Sequence, residues 1–438
     1  MLEVLRNRTY RHLFAAQVIA LVGTGLATVA LGLLAFEIAG ADAGAVLGTA
    51  LAIKMTAYVT LGPIAGAIAE RLPRRPLLIS LDLARAATAV ALPFVSEIWQ
   101  IYLLIFVLQA ASAAFTPTFQ ATIPDVLPEE KDYTRALSLS RLAYDLENVA
   151  SPLLAAALLT VISFHGLFAG TVIGFLTSAA LVMSIVLPNH IRPKGERVLS
   201  RIGAGLRIFL ATPRLRGLLA ISVAVAAAGA MVIVNTVVIV QSQFGLSQRA
   251  TALALACFGA GSMLAALTLP RLLEQRSDRA AMLSGAAIMI AGLAGGLFLP
   301  NYTLLLPLWA VIGIGYSMAQ TPSGRLLRRS AHAEDRPAIF AAQFALSHAC
   351  WLATYPLAGW LGAKVGMSAT FGLLAAIAAG ALAVAWLVWP RHDPDVVTHT
   401  HDGLSPDDPH LRSEPAKEGS HAHPYIIDSI HPVWPEHR

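Results

Sequence analysis

Long apolar runs are the feature that most constrains the fold of this chain. A helix needs about 20 consecutive apolar residues to cross the hydrocarbon core of a bilayer, and most of the sequence divides into runs of that kind. Only 13% of the 438 residues are charged, against about 25% in soluble domains. A helix satisfies its own backbone hydrogen bonds in lipid, and the runs are too long and too evenly apolar for barrel strands. The sequence therefore predicts an all-α membrane protein.

The apolar runs predict twelve transmembrane helices. The first run follows Arg6, Arg8 and Arg11 and is too long for the core of a signal peptide, so we expect an uncleaved anchor. The predicted spans lie near 13–36, 45–69, 77–96, 99–121, 135–161, 167–187, 215–241, 250–270, 280–299, 302–322, 337–361 and 368–389.

Basic residues are concentrated in alternate loops, which predicts the orientation. One set of loops carries clusters such as Arg71, Arg74 and Arg75, whereas the opposite loops hold little beyond Arg249 and Lys364. By the positive-inside rule both termini are cytoplasmic, and we expect a multi-pass protein of the bacterial inner membrane. Because the basic residues serve topology and no basic domain stands outside the membrane, a nucleic-acid partner is not expected.

A long polar loop divides the chain into two halves of six helices each. We expect an N-terminal bundle, a cytoplasmic linker containing a basic amphipathic stretch at Arg197–Leu210, a C-terminal bundle, and a histidine-rich cytoplasmic tail that is mostly disordered. The predicted boundaries are 1–188, 189–214, 215–390 and 391–438.

The two halves also show weak internal repetition. Ala-Phe-Thr-Pro117 closes the fourth predicted helix and Ala-Gln-Thr-Pro322 closes the tenth. Each is followed by a polar turn and then by a helix with a central proline, Pro152 or Pro356. Duplicated halves with interrupted helices at matching positions are typical of secondary transporters.

The loop after the second helix carries a family resemblance. Gly66-Ala-Ile-Ala-Glu70-Arg71-Leu-Pro73-Arg74-Arg75 resembles the Gly-x-x-x-Asp-Arg-x-Gly-Arg-Arg loop of the major facilitator superfamily, with Glu70 for Asp and Pro73 for Gly. The resemblance covers residues 1–390 and implies two six-helix bundles. It also implies a cytoplasmic gate of ion pairs, supported by charges on the third helix; the alternative is a positive-inside loop and nothing more. The predicted gating residues are Gly66, Glu70, Arg71, Arg74, Arg75, Asp82 and Arg85.

A second resemblance concerns the direction of transport. Thr122-Ile-Pro-Asp125-Val-Leu-Pro128-Glu129, with Leu81-Asp82-Leu-Ala-Arg85 before it, looks like the exporter branch that includes the enterobactin exporter. The sequence contains no P-loop and no recognisable catalytic motif, so we expect neither an enzyme nor a cofactor. The expected function is a proton-coupled exporter, an antiporter for a drug-like or siderophore-like molecule.

Charges within the spans point to the coupling site. A charge near the bilayer centre costs at least about 2.5–3.5 kcal/mol, so it is usually paired or functional. We expect Glu147 or Asp145 to be the protonatable carboxylate, with Arg141 and Lys54 as counter-charges. The alternatives are a structural Arg141–Asp145 pair and a Lys54 side chain that extends to the outer interface.

Polar residues at helical spacing predict the wall of a central cavity. His348 and Trp351 share one helix face, which suits a bulky organic substrate. Small polar residues also join membrane helices, and a lone buried histidine is often structural, so both alternatives stay open. The predicted cavity residues are Gln109, Thr116, Asn148, Asn235, Gln343, His348 and Trp351.

The tail after Pro390 holds eight of the thirteen histidines, including the pairs His399/His401 and His421/His423. Imidazoles mixed with carboxylates, and no sulfur, suit Zn, Ni or Co. The tail resembles in style the His-rich C-termini of nickel-resistance exporters. We therefore expect lipid, a small molecule and protons as partners of a monomer, with a divalent metal at the tail. A solvated tail without metal, divalent-metal efflux using the tail as collector, and a membrane sensor without transport remain alternatives.

Overall fold

The computed structural model describes residues 2–69, 72–187, 198–273, 276–332, 335–393, 396–400, 420–428 and 430–435. Twelve helices of 18 residues or more lie within these ranges, each near a predicted span. Nine described stretches are long and apolar enough to cross a membrane, and the first of them, Arg8–Leu61, covers two helices. The prediction of an all-α membrane fold is confirmed.

The long helices follow one another through short connections. The first half contains α1 Arg8–Ala39, α2 Ala43–Ala69, α3 Arg74–Ala91, α4 Ile98–Val126, α5 Glu130–Leu158 and α6 Phe164–Met183. The second half contains α8 Pro213–Val237, α9 Gln248–Leu273, α10 Asp278–Gly296, α11 Tyr302–Gln320, α13 Arg336–Lys364 and α14 Met367–Val388. Two shorter helices, α7 Val198–Ala211 and α12 Ser323–Arg329, lie in the connections.

Polar side chains fix where several helices begin. Asn7 accepts a hydrogen bond from the Tyr10 amide at the start of α1, and Asn301 does the same for Leu304 at the start of α11. Ser277 accepts from Ala280 at the start of α10. These caps satisfy amides that have no partner within the helix, so the polar breaks between apolar runs become helix ends.

The packing of the first half is repeated in the second. In the first half α1 packs against α5 and α6, α2 against α4, and α3 against α4 and α6. In the second half α8 packs against α13 and α14, α9 against α11, and α10 against α11 and α14. The main contacts between the halves are those of α2 with α13 and of α5 with α9. If each helix is replaced by its counterpart in the other half (α2 by α9, and α5 by α13), one of these contacts becomes the other. The fold therefore has an internal two-fold relation.

The halves approach closely at the end of the bundle where α1 meets α2 and α13 meets α14, here called the distal end. Gly359 of α13 lies directly against the backbone of Gly44, and Gly48 lies against the backbone of Tyr355. Side chains at these glycines would prevent the approach, as is common where membrane helices pack tightly. Between α9 and α5, Arg249 donates hydrogen bonds of 2.8 Å to the carbonyls of Leu159 and Thr160. The described residues thus join the halves at the distal end.

The amphipathic stretch of the linker is helical. α7 packs against α13, and Gly205 lies against the backbone of Ala338 at the contact. Leu206 and Leu210 are exposed on α7. This exposed apolar face fits the interfacial position expected for the segment.

The described part of the tail is folded. Strands β1 Val396–Thr400 and β2 Ser420–Pro424 form an antiparallel hairpin in which His399 is opposite His421. Val397, Tyr425 and Ile427 are buried and join the main apolar core. The tail is polar in its overall composition, so these few apolar residues do not stand out in the sequence. They are sufficient to hold the described part of the tail on the second half.

Candidate functional site

Charged and aromatic side chains meet between the two halves at the α2–α13 contact. The two helices run antiparallel, so Lys54 and Tyr58 of α2 lie beside His348 and Phe344 of α13. The Tyr58 ring is 5.7 Å from the His348 ring and 6.0 Å from the Phe344 ring, and His348 stacks on Phe344 at 3.8 Å. Lys54 is near enough to interact electrostatically with both His348 and Glu147. Groups from α2, α5 and α13 therefore share one electrostatic environment.

Glu147 of α5 is accommodated by a glycine on α1. A Cβ atom at Gly25 would lie 2.8 Å from the Glu147 carboxylate and would also strike Ser151. Glu147 and Lys54 are both half-buried, and the described ion pairs do not include a direct one between them. A carboxylate and an ammonium group that interact without direct contact leave space for a proton, water or a ligand.

The other charged residues predicted for coupling cannot be placed in the same way. The side chains of Arg141, Asp145 and Asn148 lie outside the described residues, although their backbones are within α5. The predicted Arg141–Asp145 pair therefore stays a prediction.

Two predicted cavity residues present buried amide oxygens. The side-chain oxygens of Gln109 on α4 and Gln343 on α13 have no hydrogen-bond partner among the described atoms. The Gln343 amide nitrogen lies 3.5 Å from the Ser222 hydroxyl. Buried amides are normally satisfied, so each oxygen is a candidate acceptor for water or a ligand.

Thr116, Trp351 and Asn235 occupy positions of different kinds. Thr116 is half-buried and donates to the Ser112 carbonyl at 3.3 Å, which is a bond within α4. Trp351 packs directly on Gly229 and lies 4.9 Å from the Tyr355 ring. Asn235 is fully buried.

The Asn235 side chain connects two helices of the second half. Its amide donates a 3.0 Å hydrogen bond to the Ala358 carbonyl, joining α8 to α13. Its oxygen faces Gly44 and Gly362 at the distal end. Small polar residues often join membrane helices in this way, and a role of Asn235 in the cavity wall stays a prediction.

The predicted gate is described only in part. Gly66 lies in the last turns of α2, and Glu70 and Arg71 lie outside the described residues. Arg74, at the start of α3, forms an ion pair with Asp125, near the end of α4, and both side chains are largely buried. Arg75 donates a hydrogen bond to the Met183 carbonyl. The basic residues therefore connect α3 to α4 and α6, and sequence reasoning missed Asp125 as the partner of Arg74.

Asp82 and Arg85 form a buried polar network that ties α3 to α6. They form an ion pair with each other, and Ser178 donates a 2.7 Å hydrogen bond to Asp82. The Arg85 guanidinium lies 4.1 Å from the Phe115 ring and 4.5 Å from the Phe175 ring. All these partners come from the first half, so the network stabilises the scaffold that carries Arg74.

The second half has an ion pair in the corresponding place with the charges reversed. Asp278 is the first residue of α10, and Arg74 is the first residue of the corresponding helix α3. Arg325 follows α11, and Asp125 lies after the apolar part of the corresponding helix α4. Arg325 Nε lies 3.0 Å from the Asp278 carboxylate. Sequence comparison of the halves did not find the pair because the residue types are exchanged.

Buried arginine anchors the tail to the second half. The Arg214 side chain is 2% exposed, lies 3.4 Å from the Asp393 carboxylate, and is covered by the Trp434 ring at 4.7 Å. Arg329 forms a 2.6 Å ion pair with the same carboxylate. The described part of the tail is thus held by charge as well as by apolar contact.

Two of the four predicted metal ligands of the tail, His399 and His423, lie together with His431. One ring nitrogen from each of His399, His423 and His431 lies within 4.8 Å of the other two. The side chains of His401 and His421 lie outside the described residues. Burial lowers the pKa of His431 to about 4, against the opposing charge of Asp428, so this ring is neutral at pH 7.

Comparison with known proteins identifies related sequences. An uncharacterised transporter of Bacillus subtilis (strain 168) is 24% identical over 299 residues, which cover 65% of this chain and 70% of that protein. Macrolide efflux protein A of Enterococcus faecalis is 26% identical over 35% of this chain, and that of Streptococcus pyogenes is 25% identical over 43%. The alignments cover 49% and 46% of those two proteins, so the chain spans about half the length of the macrolide efflux relatives that it matches.

Solved structures share the fold at low sequence identity. A bacterial homolog of the human lysosomal transporter Spinster, inward-facing and unoccupied, matches with a TM-score of 0.69 and 14% identity over 87% of this chain and 96% of that chain. A D-xylose–proton symporter matches with a TM-score of 0.65 and 15% identity over 87% and 98%.

The family itself follows from a profile match that covers nearly all of both halves. The Major Facilitator Superfamily model matches residues 13–232 and 218–418, and the twelve-helix fold with its repeated packing agrees with the solved structures. The chain belongs to the Major Facilitator Superfamily and is a multi-pass membrane transporter.

Proposed function

We propose that this transporter exports a bulky organic molecule from the cytoplasm in exchange for protons. The observation that carries the proposal is the convergence of Lys54, Glu147 and His348 at the contact between the halves. Two of the relatives are macrolide efflux proteins, which supports the export direction and an organic substrate. The resemblance of Thr122–Glu129 to the exporter branch is consistent with this assignment.

The charges provide a physical basis for exchange. When Glu147 is ionised, its charge balances Lys54, and the contact of α2 with α13 is electrostatically neutral. A proton on Glu147 leaves the Lys54 charge uncompensated beside the His348 ring, and this weakens the contact between the halves. A substrate whose protonated amine binds the Glu147 carboxylate has the same effect, because it also withdraws that carboxylate from Lys54. Proton and substrate therefore each permit the change between inward-open and outward-open states, whereas the empty, ionised transporter stays closed at the distal end.

The side chains around Lys54 suggest the class of substrate. Tyr58, Phe344 and His348 form a cluster of rings, and Trp351 lies one turn further along α13. The amide oxygens of Gln109 and Gln343 can accept hydrogen bonds from a ligand. Apolar surfaces with a few polar groups are typical of sites for drug-sized molecules, so we expect a large, largely apolar molecule with hydroxyl or amine donors.

Proteoliposomes with an imposed pH gradient test the coupling carboxylate. We expect Glu147→Gln to abolish gradient-driven movement of a labelled macrolide but to retain exchange of labelled for unlabelled macrolide, because only the proton step is lost. Asp145→Asn is measured in parallel, since either carboxylate was predicted. Glu37→Gln, which removes an exposed carboxylate at the end of α1, is the control and should leave flux unchanged.

The same vesicles separate the alternatives. Full gradient coupling in both Glu147→Gln and Asp145→Asn would contradict the proposal. Binding of the macrolide without flux would favour a sensor. Gradient-driven movement of Ni²⁺ or Zn²⁺ without movement of organic molecules would favour metal efflux, the second candidate function, which the three-histidine cluster of the tail supports.

A further inference from the structure

Three histidines from separate parts of the tail meet at one point. His399 belongs to β1, His423 to β2, and His431 to the segment that follows. The Nε2 atoms of His399 and His431 are 3.1 Å apart. The ring centre of His423 lies 4.6 Å from that of His399 and 5.1 Å from that of His431. The hairpin and its return segment therefore enclose a small space lined by imidazoles.

The hydrogen bonds of the rings determine which nitrogen carries the proton. Nδ1 of His399 lies 3.0 Å from the Val397 carbonyl, and Nδ1 of His423 lies 2.9 Å from the Pro424 carbonyl. Nδ1 of His431 lies 3.0 Å from the Asp428 carboxylate. These oxygens only accept, so each Nδ1 must donate, and a neutral ring then has its lone pair on Nε2.

This assignment leaves the Nε2 atoms of His399 and His431 as potential metal ligands. The two Nε2 atoms, 3.1 Å apart, are close enough to bind one metal ion together. His431 is 2% exposed and His399 is 9% exposed, so bulk water has little access to that position. A metal ion at this position would accept a coordinate bond from each nitrogen.

We propose that His399, His423 and His431 form a three-histidine site for a divalent first-row metal ion, with Zn²⁺ as the best fit. Bonds of about 2.0–2.1 Å place the nitrogens of a tetrahedral zinc site about 3.3 Å apart. The His399–His431 separation of 3.1 Å is close to this value, and a ring nitrogen of His423 lies within 4.8 Å of the other two. Water fills the fourth position. The tail contains no cysteine or methionine, so the site does not suit Cu(I).

The oxygens bound to Nδ1 have the role of outer-shell groups. Histidines that bind metals almost always donate the second N–H to a carbonyl or carboxylate, which fixes the ring orientation. Asp428 does this for His431, and its other oxygen lies 3.4 Å from His332, which follows α12. Arg207 of α7 donates to the Asp428 carbonyl at 3.5 Å. A bound metal therefore stabilises the docked position of the tail on the second half, whatever the transported substrate is.

Metal binding is measured on the full-length protein in detergent, purified through an affinity tag without histidine. Equilibrium dialysis against Zn²⁺ followed by elemental analysis should give one tightly bound ion per chain. We expect His399→Ala and His431→Ala to weaken the binding of this ion at least 100-fold, and Asp428→Asn to weaken it about 10- to 100-fold, as for other outer-shell groups. His392→Ala removes an exposed imidazole of the same tail and should change nothing.

Two results would overturn the assignment. Equal Zn²⁺ affinity in the wild type and in a variant lacking all three histidines would place binding elsewhere in the chain. Equal losses in His392→Ala and His431→Ala would show diffuse binding along the tail. X-ray absorption of the zinc-loaded protein should show nitrogen ligands at about 2.0–2.1 Å. Because this experiment measures binding and not flux, its outcome is independent of the coupling experiment.

Discussion

At the scale of single residues, the buried charges of this transporter divide into two kinds. Asp82 and Arg85 contact each other, Ser178 and two aromatic rings, so their charges are satisfied within one half. Lys54 and Glu147 interact without direct contact, and Lys54 also acts on His348 of the other half. The first pair suits a permanent structural role, whereas the second can change its charge without dismantling a bonded network.

This difference predicts that neutralising the bonded pair lowers the stability of the protein. Asp82→Asn leaves Arg85 buried without its counter-charge, and we expect a loss of about 3–5 kcal/mol in the free energy of unfolding. Ser80→Ala, at an exposed position of the same helix, should change the free energy by less than about 0.5 kcal/mol. Denaturant unfolding in detergent compares the two. An Asp82→Asn protein as stable as the Ser80→Ala control would show that the pair is not structural.

At the scale of elements, the sequence predicted the helices well because about 20 apolar residues in lipid have few alternatives to a helix. It did not predict contacts that depend on which helices become neighbours. The partner of Arg74 is Asp125, from a helix with no local pattern that links it to α3. Likewise His431 completes the histidine cluster although it lacks the His-x-His spacing that singled out the other histidines.

The contact of α2 with α13 depends on glycine more than on any large side chain. Gly359→Ala would place a methyl group against the Gly44 backbone, which cannot move independently of its helix. We expect a loss of about 1–3 kcal/mol and reduced flux, because overpacking forces the helices apart. Gly380→Ala on α14 is the matched control, since nothing lies within 4 Å of the added group. Thermal unfolding in detergent should separate the two variants, and equal melting temperatures would count against close packing at this point.

At the scale of the whole molecule, the two-fold relation means that each half supplies one partner to both distal contacts. Arg249 of the second half donates hydrogen bonds to carbonyls of the first half. These carbonyls lie at the end of α5, where the helix dipole favours a positive charge. Arg249 therefore contributes directly to the balance between the two open states.

Removal of this arginine should shift that balance. Hydrogen bonds to charged groups contribute about 1.5–3 kcal/mol each, so we expect Arg249→Gln to raise the population open at the distal end about tenfold or more. Cys257 and Cys350 are first replaced, and spin labels are attached at Val161→Cys and Ser247→Cys, which are both exposed. Double electron–electron resonance then measures the distance between the two halves at the distal end. Arg216→Gln, an exposed arginine of α8, should leave the distances unchanged. Identical distance distributions in the two variants would mean that Arg249 does not hold the halves together.

The docked tail has a consequence for observing the transporter at work. The described side chains that hold it are Arg214, Arg329 and His332 of the second half, together with Arg207 of α7, which packs against α13. The hairpin must therefore move together with the second half whenever the two halves rotate relative to each other. Energy transfer between a fluorophore on the tail and one on the first half would therefore report the distance between the halves during transport. Neither label alters a residue that is proposed to bind substrate or protons.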